Sequence, residues 1–167
     1  MFELKISSLY DAVDLSKKWA THTVSLLDPG SEKDGYFIIP VAAKNGKLQR
    51  YYFHDLTPDD NWRDWMTKPP EIATHEQIQK ILDFTAPLVQ TDKLLVHCHA
   101  GISRSTAVAC GVLCQHGLTP ENAAKLVLSV RKQAYPNKHV LQIFDEILGL
   151  GNKLVKASSE VFSYCYY

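Results

Sequence analysis

The 167-residue sequence has no CxxC pair and no even cysteine spacing. Its four cysteines, Cys98, Cys110, Cys114 and Cys165, therefore supply neither a zinc cage nor a disulfide framework, and a reducing compartment suits them best. Net charge is also lacking: 18 Lys and Arg balance 18 Asp and Glu. No global field draws nucleic acid or an anionic membrane, so neither is expected as a partner and any anion site must be local. No apolar run approaches a membrane span, and the opening MFELKISSLYDAV places charges within its first five positions, so it holds no signal-peptide core. Repeats and low-complexity segments are absent too. These absences leave a soluble protein expected in the cytoplasm.

With 46% hydrophobic residues the chain can bury a real core, whereas a split into two would leave each half marginal. One domain over residues 1–167 is expected, with its best-supported core at 21–151 and the tail 152–167 unassigned. The pattern alternates between strands and helices. FELKI reads as an edge strand, residues 8 to 20 as a helix, and THTVSLL as a strand closed by the Asp28-Pro29-Gly30 turn. YFIIPVAA and KLQRYYFHDL read as two further strands separated by Asn45-Gly46. Residues 57 to 70, TPDDNWRDWMTKPP, form an ordered polar loop, and PEIATHEQIQKILDFTAPL a helix leading into the buried strand KLLVHC. Three helices follow, over 103–116, over TPENAAKLVLSVRK with Thr119 as N-cap, and over PNKHVLQIFDEILGLG ending at Gly149 or Gly151. The fold class is α/β, a central sheet flanked by helices.

Between the strand and the alanine-rich helix lies VHCHAGISRST, residues 96 to 106. Cys98 ends the strand and Arg104 falls in the first helical turn. The five residues between them can curl so that backbone N–H groups point inward, joined by the unsatisfied donors and positive dipole end of the helix N-terminus. Gly101 permits the tight curl. That field favours the thiolate, the nucleophilic form of cysteine, and Arg104 offers a planar fork matching two phosphoryl oxygens. Nucleophile and phosphate cradle thus come from one loop.

HCHAGISRST resembles the signature loop of the cysteine-dependent protein tyrosine phosphatases, HCxxGxxR followed by Ser or Thr. The chain is similar to the dual-specificity-like branch and the short bacterial-type enzymes, with weaker similarity over roughly residues 50 to 150. The resemblance implies a phosphatase domain needing no cofactor and no metal. It implies that Cys98 attacks phosphorus to form a cysteinyl phosphate, that Arg104 binds the phosphoryl oxygens, and that Ser105 hydrogen-bonds the departing sulfur. The backbone amides of His99, Ala100, Gly101, Ile102, Ser103 and Arg104 would hold the remaining oxygens, and His97 would support the loop from behind.

A thiolate that expels an alkoxide or phenoxide needs an acid opposite it. FHDLTPDD offers Asp55, Asp59 and Asp60; in the related branch the acid opens the loop after a strand, which selects Asp55. The 43 residues from Asp55 to Cys98 exceed the interval of compact dual-specificity members. His99 either lines the pocket mouth or faces solvent. Trp62 and Trp65 form a lid or, preferred here, a hydrophobic plug beneath the loop. Asn137 matches a Pro-Asn element of the family and equally a helix N-cap, and Cys110 and Cys114 share a core face.

The implied function is phosphate-monoester hydrolysis with a phosphorylated protein as partner, phosphotyrosine leading. Dual-specificity, phosphoinositide and RNA 5′-triphosphate phosphatases are alternatives, followed by a rhodanese-like sulfurtransferase and a non-catalytic phosphopeptide-binding module. The loop lacks the lysines of a phosphoinositide enzyme, and zero net charge offers no track for RNA.

Overall fold

In the computed structural model, which describes residues 1–33, 35 and 37–163, four parallel strands form one sheet. They are β1 (Glu3–Ser7), β2 (His22–Leu27), β3 (Lys47–Tyr52) and β4 (Lys93–His97), in the order β1-β4-β2-β3. β4 is flanked on both sides, with Leu95 paired to Lys5 on β1 and to Thr23 on β2. This central place explains its unbroken apolar run. Leu94 and Val96 enter the large core, while Leu95 packs on the opposite face against Ala12 and Ala20.

Helix α1 (Leu9–Lys18) covers that opposite face. The large core lies between the sheet and helices α2 (His75–Thr85), α3 (Arg104–Gln115), α4 (Pro120–Val130) and α5 (Lys138–Leu148). α3 is its centre, buried at every position from Arg104 to Leu113.

Local signals set the helix ends. Ser8 accepts from the Asp11 amide, Thr74 and Gln77 form a capping box, and Thr119 caps a helix whose first residue is Pro120. Asn137 caps α5, which Gly149 closes in the left-handed conformation (φ 63°). Cys110 is fully buried and Cys114 packs on the same core, as their spacing implied; Cys165 lies outside the described residues. Among the described residues no helix is long and apolar enough to cross a membrane.

One expectation needs correction. The described part of YFIIPVAA forms no strand. β3 runs parallel to β2, so the chain must return along the sheet between them; Pro40 has no N–H for a ladder, and its carbonyl instead accepts from Arg50. Ala43 ties this return segment to the Ser16 carbonyl of α1 at 3.3 Å.

The unassigned tail contains helix α6 (Lys153–Phe162), with Leu154, Ala157 and Phe162 buried. Its cap is remote in sequence: the buried Asp145 carboxylate accepts from the amides of Leu154 and Val155 at 3.0 and 2.8 Å, while Asn152 makes no side-chain cap.

Candidate active site

Because all four strands are parallel, their carboxyl ends lie along one edge of the sheet, and the residues that follow them converge. Asp28 follows β2, Asp55 lies just beyond β3, and Cys98 follows β4. Ser7, the last residue of β1, lies beneath Gly101. A cleft of about 460 Å³ joins Cys98, His99, Ala100, Ile102, Ser103 and Arg104 to Asp28, His54, Asp55, Leu56 and Trp65.

Cys98 is buried at the floor. Its Sγ lies 3.2 Å from Ser105 Oγ and accepts the Gly101 amide at 3.2 Å. The carbonyls of the loop are all occupied on its outer side. His99 O accepts from the Leu9 amide, Ala100 O and Gly101 O from the Arg131 guanidinium, Ile102 O from the Tyr135 amide and Ser103 O from the Asn137 amide. With every carbonyl turned outward, the amides turn inward. Those of His99, Ala100, Ile102 and Ser103 have no hydrogen-bond acceptor among the described residues. This is an anion cradle. Gly101 does more than curl: at φ 71° its Cα approaches β1 so closely that a Cβ would sit 2.5 Å from the Ser7 carbonyl.

The Arg104 side chain is almost wholly buried. Nη1 donates to Asp28 Oδ1 and to the Phe53 carbonyl, both at 2.7 Å, and this fixes the plane of the guanidinium. Nε, also buried, has no partner among the described residues. One edge of the fork is anchored and the other is left for a ligand, the arrangement that bidentate oxyanion binding requires.

His97 is fully buried. Its Nδ1 lies 3.2 Å from the Cys98 carbonyl, which can only accept, so Nδ1 carries the proton. Burial lowers its pKa to about 4, with Arg50 and Arg104 acting in the same direction, and the ring supports the loop as a neutral group. Burial pushes the Cys110 thiol far up and Cys114 to about 12, so neither is poised as a thiolate partner for Cys98.

Asp55 lines the cleft. Its Oδ1 accepts from Ser103 Oγ at 2.7 Å and from Asn137 Nδ2 at 2.9 Å. Asp59 and Asp60 do not line it; Asp60 accepts the Thr57 amide and closes its own turn. Asn137 unites both readings, since its Oδ1 caps α5 through the Val140 amide while its Nδ2 holds Asp55.

His99 lines the cleft and meets Phe37 edge-on at 5.2 Å. The tryptophan plug is not found. Trp65 is 63% exposed at the cleft, and Trp62 is half-buried beneath the Arg63 guanidinium. The loop that carries them lies on the surface, where it cannot reach the core. Asp28 and Arg131 escaped sequence reading: one stood in a turn motif and the other at a helix end, and only the folded chain brings them to the loop.

No protein-family model matches the sequence, and no curated protein matches it. Solved structures do. Human DUSP28 is 23% identical, with 89% of this chain and 94% of that chain covered and a TM-score of 0.55. The human tyrosine phosphatase-like serine/threonine/tyrosine-interacting protein is 19% identical, with 89% and 92% covered and a TM-score of 0.59. PTPMT1 in complex with PI(5)P is 17% identical, with 96% and 93% covered and a TM-score of 0.54. The chain has the α/β fold of the cysteine-dependent tyrosine phosphatases, in its dual-specificity-like form.

Proposed function

We propose that the protein is a phosphate-monoester hydrolase acting through a cysteinyl-phosphate intermediate, with phosphotyrosine in proteins as its leading substrate. The observation that carries this reading is a single cleft in which Cys98, an inward-facing amide cradle and the anchored Arg104 face Asp55.

In the first step the Cys98 thiolate attacks phosphorus, the ester P–O bond breaks, and Asp55 transfers its proton to the leaving oxygen. Both hydrogen bonds to Asp55 land on Oδ1, so Oδ2 is the atom left to carry that proton. In the second step water attacks phosphorus and returns a proton to Asp55. The P–S bond then breaks, with the Ser105 hydroxyl hydrogen-bonding the sulfur from 3.2 Å. The cradle amides and Arg104 stabilise the equatorial oxygens throughout.

Among the described residues lining the cleft, Arg104 is the sole Lys or Arg. One permanent cation suits one phosphoryl group, which favours a phosphoprotein over a multiply charged inositol headgroup or a triphosphorylated RNA end. The likeness to PTPMT1 in complex with PI(5)P is the observation that keeps a phosphoinositide as the second reading.

The test compares phosphotyrosyl and phosphoseryl peptides, inositol phosphates and an aryl phosphate series without added metal. Turnover should vanish in Cys98→Ser while inorganic phosphate still binds. Asp55→Asn should lose roughly 100- to 10,000-fold in kcat on tyrosyl phosphate and much less on nitrophenyl phosphate, because an activated phenoxide departs with little help. Substantial turnover by Cys98→Ser, or an Asp55→Asn defect independent of leaving-group pKa, removes this mechanism.

A further inference from the structure

The long interval between Asp55 and Cys98 contains a loop with its own architecture. His54 and Glu71 clasp its two ends: the His54 amide donates to the Glu71 carbonyl at 2.7 Å, and the Glu71 amide donates to His54 Nδ1 at 3.0 Å. Within it, Asp60 accepts the Thr57 amide, and the turn at Trp62–Asp64 accepts the amides of Trp65 and Met66 on the Trp62 carbonyl. A loop closed at its base and braced inside is an Ω-loop, held in shape at the surface.

This loop leaves a large aromatic side chain 63% exposed where it lines the cleft. An exposed tryptophan forgoes the burial that ordinarily stabilises so large an apolar surface, so a ring held at a ligand cleft points to a ligand with an apolar face. Leu56, Ile102 and His99 line the same cleft, the last of them meeting Phe37 edge-on. Below lies Cys98, 2% exposed, on the floor of the same cleft.

We propose that Trp65 is a specificity-determining residue that selects aryl over alkyl phosphate esters by packing on the ring that carries the phosphate. This rests on the phosphatase reading above and deepens it. The Ω-loop supplies the wall, and Asp55 at its base supplies the proton, so recognition of the ring and protonation of its oxygen come from one segment.

The experiment measures kcat/KM for phosphotyrosyl and phosphoseryl peptides of identical flanks, and for phenyl and glycerol phosphate, in the wild type, Trp65→Ala and Trp65→Phe. Trp65→Ala should lose about 3- to 10-fold on both aryl esters and stay within about twofold on both alkyl esters, with Trp65→Phe near wild type. Equal losses on the two classes would assign Trp65 to holding the Asp55 loop, and an unchanged aryl rate would remove it from recognition; either overturns the proposal. A wild type that hydrolyses no ester fails the phosphatase reading instead. The wall is then judged by calorimetry with phenylphosphonate and methylphosphonate. A phenyl preference that falls in Trp65→Ala supports it, and no preference, or one unaltered by the substitution, overturns it.

Discussion

Arg131 makes the sharpest demand on the cradle geometry. It lies just beyond α4 and does not line the cleft, yet its Nε donates to Gly101 O and its Nη2 to Ala100 O, each at 2.9 Å. Each carbonyl shares a rigid peptide plane with the next residue's N–H. Holding Ala100 O and Gly101 O outward therefore holds the Gly101 and Ile102 amides inward, the first of them on Cys98 Sγ. Charge-assisted hydrogen bonds contribute about 1.5–3 kcal/mol each, and Arg131 is only half-buried, so about 1 kcal/mol apiece is the fitting scale. Arg131→Met keeps the aliphatic stem and removes both bonds. The combined loss of about 2 kcal/mol corresponds to roughly 30-fold in kcat/KM, since about 1.4 kcal/mol is tenfold. The assay is hydrolysis of phenyl phosphate together with vanadate inhibition, and vanadate affinity should fall in parallel because it uses the same amides. Arg131→Lys should recover part of the loss, as one ammonium can reach one carbonyl. Wild-type kcat/KM and vanadate affinity in Arg131→Met would refute this positioning role.

Two further outcomes follow from the loop's inner side. Gly101→Ala places a Cβ 2.5 Å from the Ser7 carbonyl and 2.8 Å from the Ser8 amide at φ 71°, backbone atoms that cannot swing aside; it should cost about 2–4 kcal/mol in urea unfolding and most of the activity, and a stable, active variant would contradict the packing. His97 has its folded pKa lowered to about 4 from an ordinary 6.5, so its contribution is intact above pH 6.5 and is lost as pH falls toward 4. Urea unfolding should show about 2 kcal/mol lost between pH 7.5 and 5, and His97→Gln should lack that component; identical pH dependence in the two proteins would show that the buried ring does not govern it.

How much of this was legible in the sequence depends on how local each signal is. Cys98, Gly101 and Arg104 could be read because the cradle is one contiguous segment between a strand and a helix. Thr119 and Gly149 could be read because caps act within a turn of the helix they bound. Asp28 was visible only as part of a turn, since its pairing with Arg104 spans 76 positions and arises from the β1-β4-β2-β3 order. The start of α6 was invisible for the same reason, because its cap is Asp145 on another helix. YFIIPVAA misled because a run of aromatic and β-branched residues resembles a strand, whereas its described part forms no strand where the chain crosses between the parallel β2 and β3. The placement of Trp65 depends on where the closed loop comes to rest, and composition carries no sign of that.

The segment between α4 and α5 gives the site its coherence. Arg131, Tyr135 and Asn137 run alongside the cradle and take up the carbonyls of Ala100, Gly101, Ile102 and Ser103 in order. The last of them does two more things, capping α5 with one side-chain atom and holding Asp55 with another. The brace that turns the amides inward is thus continuous with the group that orients the acid. Ser103, whose carbonyl belongs to the cradle, also donates its hydroxyl to Asp55. In the proposed mechanism a displacement of the α4–α5 connection would therefore loosen the oxyanion donors and the proton donor together, because both are referred to the same short stretch of chain. The candidate site is spread over the ends of four strands, and this connection ties together the parts that the proposed reaction brings to bear on one phosphoryl group.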